Sequence, residues 1–319
     1  MRKVLALDIG GTNTRIAVFK LDKKPVMLSK EENLTEDIKD ISKYIKSFSD
    51  KKGVAADEIG IGFAGPVVGN QIKLTNSNFS INKEKLMKKL NTKKLVIVND
   101  FHTIGVGIEF MPRKDIVVLN KSAFNNNIKL VIGPGTGLGK AYVINGITYP
   151  AEGGYTSLGI EDIHEYGVLD YLSKKYKGPV YYEDVVSGRG LIDIYDYLEI
   201  QSNIDFDMNI KSRIRNVPKK AEFITKHCDK DELCDLTLRM FTKFYARFAR
   251  DSALHLISSH VYLCAGISAS IINHLRAHFM NEFIRHRVYS SLLKKINVFV
   301  VLNPEAGLYG AAGLFLSKN

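Results

Sequence analysis

Leu95-Val-Ile-Val-Asn-Asp-Phe101 is the stretch whose reading decides the fold. Leu95 and the β-branched Val96, Ile97 and Val98 predict a short buried strand, which ends on two small polar residues before a helix-like run to about Phe110. Asp100 therefore falls at the carboxyl end of a strand. Ligands of open α/β sheets bind at that edge, and a carboxylate placed there can take a proton from a bound substrate. Asn-Asp is also a common way to cap a helix start, so the stretch by itself leaves both readings of Asp100 open.

Working outward, Val4 to Ile9 and Arg15 to Phe19 read as two strands joined by Gly10-Gly11-Thr12-Asn13, a glycine-rich hairpin. Glycines let backbone N–H groups come close to a phosphate, and Asp8 at the end of the first strand is a hard oxygen ligand able to hold a hydrated Mg²⁺. A plain turn with no ligand is the alternative. The design repeats later: Lys129 to Ile132 is a strand, Gly133-Pro-Gly135-Thr136-Gly137-Leu-Gly139 a turn, and Lys140 to Ile144 the returning strand. This is not a P-loop, because that motif's first glycine would fall on Pro134 and its Ser/Thr on Ala141. Two such hairpins, one per domain, are suited to grip one polyphosphate from both sides.

Gly60-Ile-Gly62-Phe-Ala-Gly65 matches the dinucleotide fingerprint, but Pro66 and an extended Val67-Val68-Gly69 follow where that motif requires a helix. Gly65 is expected in a tight loop at a strand end. Glu152-Gly153-Gly154-Tyr155 places a carboxylate on a flexible backbone, and Glu183 precedes a Ser187-Gly188 loop. Carboxylates accept paired hydroxyl hydrogen bonds from a polyol, although either acid alone also reads as a surface group or a cap. Helical spacing is expected over Asp37 to Phe48, Asn82 to Leu90, Asp231 to Ile257 and Ala306 to Ser317, the aromatics of the third being core. His260 to Ala265 predicts a strand, with Gly266 at the turn into a helix from about Ala269; the turn suits close approach of adenine or is a simple connection. His274, His278 and His286 read as a solvated face rather than a metal site.

The chain has 319 residues, 45% of them hydrophobic, and alternating strand-like and helix-like segments, which fits two α/β domains. Met111-Pro112-Arg113 marks the expected boundary, giving 1–111 plus 303–319 as a small domain and 112–302 as a large one. Lys and Arg outnumber Asp and Glu by 45 to 34, but the lysines are scattered and no DNA or RNA motif accompanies them, so no nucleic-acid partner is expected. Three cysteines are too few and too widely spaced for a disulfide framework. No apolar run approaches membrane-spanning length and no signal peptide is evident, so no membrane partner and a cytoplasmic location are expected.

Taken together, Leu-Asp8-Ile-Gly-Gly-Thr-Asn-Thr-Arg15, Val-Asn99-Asp100-Phe, Gly135-Thr-Gly-Leu-Gly139, Glu152-Gly-Gly, Glu183 with Ser187-Gly188, Ala-Gly266-Ile and Asn303-Pro-Glu-Ala-Gly-Leu-Tyr-Gly-Ala-Ala resemble the bacterial-type glucokinase family along the whole chain. The resemblance implies an α/β protein of two ribonuclease-H-like domains with an ATP and sugar cleft between them, the actin-like ATPase fold. It implies ATP-dependent phosphorylation of a hexose, glucose first, at its 6-hydroxyl, with Asp100 as general base. Asn99, Glu152, Tyr155, Glu183 and Gly65 are then sugar-binding. Asp8, Gly10, Gly11, Thr12, Asn13, Gly135, Thr136, Gly137 and Gly266 serve ATP, Asp8 also holding Mg²⁺ through water, and a homodimer is expected. Tyr155 stands where the family carries His, which opens the alternative of another hexose or amino sugar. A sugar-sensing regulator on the same scaffold is the other alternative, but the first hairpin begins so early that no appended DNA-binding module is expected.

Overall fold

The computed structural model of the chain describes residues 2–55, 57–74, 79–201, 214 and 216–316. Two compact units divide it: Met1–Asp115, Ala141–Pro150 and Asn303–Asn319 form the first, Ile116–Lys140 and Ala151–Leu302 the second.

The first unit is built on β1 (Arg2–Ile9), β2 (Asn13–Leu21), β3 (Pro25–Leu34), β4 (Glu58–Phe63) and, after the small hairpin of β5 (Gln71–Lys73) and β6 (Ser80–Asn82), β7 (Lys94–Asn99). Its main sheet runs β3-β2-β1-β4-β7, with β1, β4 and β7 parallel and β2 and β3 antiparallel additions. A parallel centre must be covered on both faces, which is why β1 is apolar nearly throughout. Leu5, Leu7 and Ile9 pack with Ile41, Ile45 and Phe48 of α1 (Ile41–Lys52) and Leu86 and Leu90 of α2 (Lys83–Leu90). On the other face Val4 and Ala6 meet Leu308, Ala311 and Ala312 of the chain's last helical segment and Phe315 just beyond it. That segment, Ala306–Gly313, crosses α3 (Asp100–Gly107) almost backbone to backbone: a Cβ added at Gly310 would sit 1.6 Å from Thr103 O. Small residues are required there by contact, not by turn chemistry.

The second sheet has the order β11-β10-β9-β12-β13-β8, from β8 (Ile116–Asn120), β9 (Ile128–Pro134), β10 (Leu138–Ile144), β11 (Ile147–Ala151), β12 (His260–Leu263) and β13 (Asn297–Val301). In the second unit α4 (Ile163–Tyr176), α5 (Gly188–Gln201), α6 (Lys220–His227), α7 (Glu232–Leu256) and α8 (Ala265–Ser270) accompany it. The aromatics Phe241, Phe244, Tyr245 and Phe248 of α7 are buried core, as their spacing requires.

Several expectations are corrected. The helix foreseen from Asp37 starts at Ile41, because Asp40 accepts from Ser42 N at 2.8 Å and caps it, leaving Thr35–Asp37 as a separate 3₁₀ turn. Gly133 and Gly139 lie in strands, so the second glycine turn shortens to residues 135–137. Helix α8 starts at Ala265, at φ 69°, not at about Ala269, so Gly266 lies within its first turn. His274 is buried and bonds Asp235 of α7 at 2.8 Å, so it does not belong to a solvated face. Glu152 stands just before a 3₁₀ turn, Gly153–Tyr155, in which Gly153 and Gly154 are buried. Helical assignment of the chain's last segment ends at Gly313, and Ser317 lies outside the described residues.

Candidate functional site

In the first unit the relevant edge is the carboxyl end of the parallel strands. Ile9, Phe63 and Asn99 form one row across β1, β4 and β7, so the ends of β1 and β7 lie two inter-strand spacings apart, about 10 Å. Asp8 and the Gly10–Asn13 turn stand at one end of this row and Asp100 at the other. The turn is closed by Gly10 N donating to Asn13 O at 2.9 Å. Thr35 pins it from outside, its N–H on Thr12 O at 2.9 Å and its hydroxyl on Gly10 O at 2.8 Å. Gly11 and Thr12 remain exposed at the tip.

Asp8 points to the face of the sheet covered by residues 306–313, where its carboxylate lies against Gly307. It pairs with Arg15 Nη1 at 3.6 Å, and Arg15 Nε reaches Glu32 at 3.3 Å. Burial, opposed by Arg15 and reinforced by Glu305 and Glu32, pushes the Asp8 carboxyl up to about 6, while the side chain keeps 23% of its exposure. Glu305 bonds Lys30 through Oε1, and its Oε2 is buried with no hydrogen-bond partner. Sequence reading gave no role to Thr35, Arg15 or Glu305. Arg15 and Glu305 lie inside the quoted motifs, whereas Thr35 carries no local signal.

At β7 the capping duty falls on Asn99. Its Oδ1 accepts from Phe101 N at 2.9 Å and His102 N at 3.3 Å, and its Nδ2 donates to Gly65 O at 3.1 Å. Asp100 is the first residue of α3, and its Oδ1 accepts from Phe101 N at 2.9 Å. Asn99 thus both caps the helix and ties it to the Gly65 loop.

In the second unit the glycine turn between β9 and β10 is closed by Gly135 N on Gly137 O at 2.7 Å. Glu183 comes up beneath it. Its Oε2 accepts from Leu138 N at 2.8 Å, and a Cβ at Gly137 would lie 2.5 Å from that oxygen, so a larger residue there would displace the Glu183 carboxylate. Burial, reinforced by the neighbouring Glu183, pushes the Tyr155 phenol up to about 12. Partial desolvation and the neighbouring Glu183 hold Glu152 above the usual carboxylate range. Thr136 and Gly266 are exposed, and a Cβ at Gly266 would meet open space.

Each unit therefore assembles its own set. Asp8, Gly10, Gly11, Thr12, Asn13, Gly65, Asn99 and Asp100 share one sheet edge, and Gly135, Gly137, Tyr155, Glu152 and Glu183 share one cluster. Lys140, which sequence reading gave only as a strand residue, belongs with the second set: it is 5% exposed and lies under Gly153, whose added Cβ would sit 2.3 Å from Lys140 Cε.

A family model described as Glucokinase matches residues 5–318. Glucokinase of Nostoc punctiforme is 28% identical over 98% of this chain and 98% of its own length. That of Campylobacter jejuni subsp. doylei is 31% identical over 97% and 92%. The crystal structure of glucokinase from Balamuthia mandrillaris in complex with glucose matches with a TM-score of 0.82 at 22% identity, over 97% of this chain and 92% of that one. A ROK family glucokinase from Streptomyces griseus in complex with glucose and AMPPNP gives 0.71 at 18% identity, over 98% and 99%. These structural likenesses establish the actin-like ATPase fold, and the match of the family model over nearly every residue establishes more than the fold: the chain belongs to the glucokinase family.

Proposed function

We propose that Asp100 is the general base with which this enzyme takes the proton of the glucose 6-hydroxyl as that oxygen attacks the terminal phosphorus of ATP. Phosphorylation of glucose by ATP is the activity that family membership carries. One observation supports the residue assignment: Asp100 stands past the end of β7 on the same row as the Asp8 hairpin, while Asn99 does the capping that would otherwise explain a carboxylate there. A base about 10 Å along the edge from a phosphate turn leaves room for the attacking hydroxyl and the terminal phosphate between the carboxylate and the turn.

In this reading Asn99, Gly65, Glu152, Glu183 and Tyr155 bind the sugar hydroxyls. The turns at residues 10–13 and 135–137 hold the phosphates, and Gly266 admits the adenosine. Lids and loops that exclude water matter here, because water competes with the sugar for the phosphoryl group. Asp8 and the unpartnered Oε2 of Glu305 supply hard oxygens near one another, and no third His, Cys, Asp or Glu joins them in a metal-binding group among the described residues. That donor set fits a Mg²⁺ that keeps most of its water. When bound, the ion would neutralise charge on the phosphates. A homodimer in the cytoplasm completes the proposal.

The test is ADP release by purified protein with Mg-ATP and glucose, mannose, fructose, galactose or N-acetylglucosamine. Asp100→Asn keeps an oxygen for Phe101 N and is expected to lower kcat by at least about 10²–10⁴-fold, the usual worth of a general base. Retained turnover in that variant would remove Asp100 from the mechanism.

A further inference from the structure

We propose that Thr35 is a positioning residue for the phosphate turn at residues 10–13: it grips two carbonyls of that turn from behind, so that the Gly11 amide faces the nucleotide phosphates. The inference rests on the assignment of the turn to the phosphates.

Thr35 is 3% exposed and stands just past the end of β3. Its hydroxyl donates to Gly10 O at 2.8 Å and its N–H to Thr12 O at 2.9 Å. A hydroxyl has one proton, and with that proton on Gly10 O the Thr35 oxygen accepts from the Thr14 hydroxyl, 3.0 Å away. Thr14 is fully buried on β2, so a chain of groups from Thr14 through Thr35 to Gly10 anchors the turn to the sheet. The Thr12 bond holds its other side.

This pin answers a weakness in the sequence. Gly10 and Gly11 are consecutive, and the peptide between them has no Cβ on either side to resist a flip. In a trans peptide the carbonyl and the following N–H point in opposite directions. Holding Gly10 O on Thr35 therefore turns the Gly11 N–H away from Thr35. Gly11 lies exposed at the tip, while Gly10 N is used inside the turn on Asn13 O at 2.9 Å. A backbone N–H held outward in this way attracts an anion, whereas a flipped 10–11 peptide would meet the same anion with a carbonyl oxygen. Phosphate affinity thus depends on a hydroxyl that touches no ligand.

The test compares Thr35→Val, which keeps the shape and drops the hydroxyl, with Thr35→Ser, which keeps the hydroxyl. Isothermal titration of AMPPNP is expected to show a dissociation constant raised about 10-fold in Thr35→Val and within about 2-fold of wild type in Thr35→Ser, the worth of one buried hydrogen bond. Adenosine and glucose should bind alike in wild type and both variants, a split that general loosening of the fold would not produce. Unchanged AMPPNP affinity in Thr35→Val, equal losses for AMPPNP, adenosine and glucose, or no recovery in Thr35→Ser overturns the pin. If Thr35→Val does not fold, Thr14→Val carries the test, with an expected loss of about 3-fold and no loss as the refuting result. Gly11→Val, at the exposed tip, keeps the two failures apart. Unchanged AMPPNP affinity in Gly11→Val overturns the assignment of the turn to the phosphates, whereas a loss there with none in Thr35→Val overturns the pin alone.

Discussion

Arg247→Met removes the centre of a buried ion cluster in the second unit, and its cost can be worked from the bonds. Arg247, 1% exposed on its side chain, makes a bidentate pair with Glu165, also 1% exposed, at 2.7 Å through each nitrogen. It also bonds Glu282 Oε1 at 3.0 Å and Gly159 O at 3.1 Å. Taking one partner from a buried pair costs about 3–5 kcal/mol, because the other charge stays buried. Here Glu165 keeps Lys243 at 2.7 Å and Glu161 N at 2.7 Å, and Glu282 keeps Arg285 at 3.1 Å, which places the loss near the lower limit, about 3 kcal/mol. Urea unfolding at pH 7 checks it, and a loss below about 1 kcal/mol would refute the reasoning. The acid limb gives a second check. Burial raises the Glu165 carboxyl, but hydrogen bonds from Arg247 and Lys243 outweigh it and hold the group below the usual range. A carboxyl depressed in the folded state stabilises fully above its unfolded value of about 4.3 and loses that contribution as pH falls through the folded value. The gap between wild type and Arg247→Met should therefore narrow below about pH 4.3, and a gap that widens in acid would contradict the account.

Two further outcomes are expected. Ile257 closes α7 at φ 50°, a left-handed conformation that costs an L-residue roughly 1–2 kcal/mol, so Ile257→Gly should gain about 0.5–1 kcal/mol after the unfolded-state entropy of glycine, read as a higher urea midpoint. Asp8, pushed up to about 6, is charged only above that pH; kcat/KM for Mg-ATP should fall as pH drops through about 6, and Asp8→Asn should flatten that limb while lowering the plateau.

The strands and the long helix were legible because their signals are local. Val4 to Ile9 and Leu95 to Val98 are apolar runs bounded by polar residues, and Asp231 to Ile257 repeats every three or four, with Asp231 and Ile257 as its caps. What sequence left hidden was cross-chain partnership. Thr35 fixes a turn more than twenty positions away, Asp235 finds His274 from another helix, and Leu138 meets Glu183 through its backbone, where the side chain carries no message. The glycine turn was read too long for a related reason: Gly133 and Gly139 look like turn residues but continue the strands, and a Cβ at Gly133 would lie 2.5 Å from Cys264 O.

Asn99 and Asp100 carry the argument that separates chemistry from architecture. Both residue types cap helices, and a helix start offers amides enough to occupy either. The structure gives those of Phe101 and His102 to Asn99, and spends the other end of the same amide group on Gly65 O. Asp100 Oδ1 accepts from the same Phe101 amide that Asn99 holds. A carboxylate at a strand's ligand-binding edge, beside a neighbour that already caps the helix, is the pattern expected when the proton affinity of the group is what matters. That is why the decisive substitution is Asp100→Asn, which keeps shape and the Phe101 bond and removes the proposed base alone.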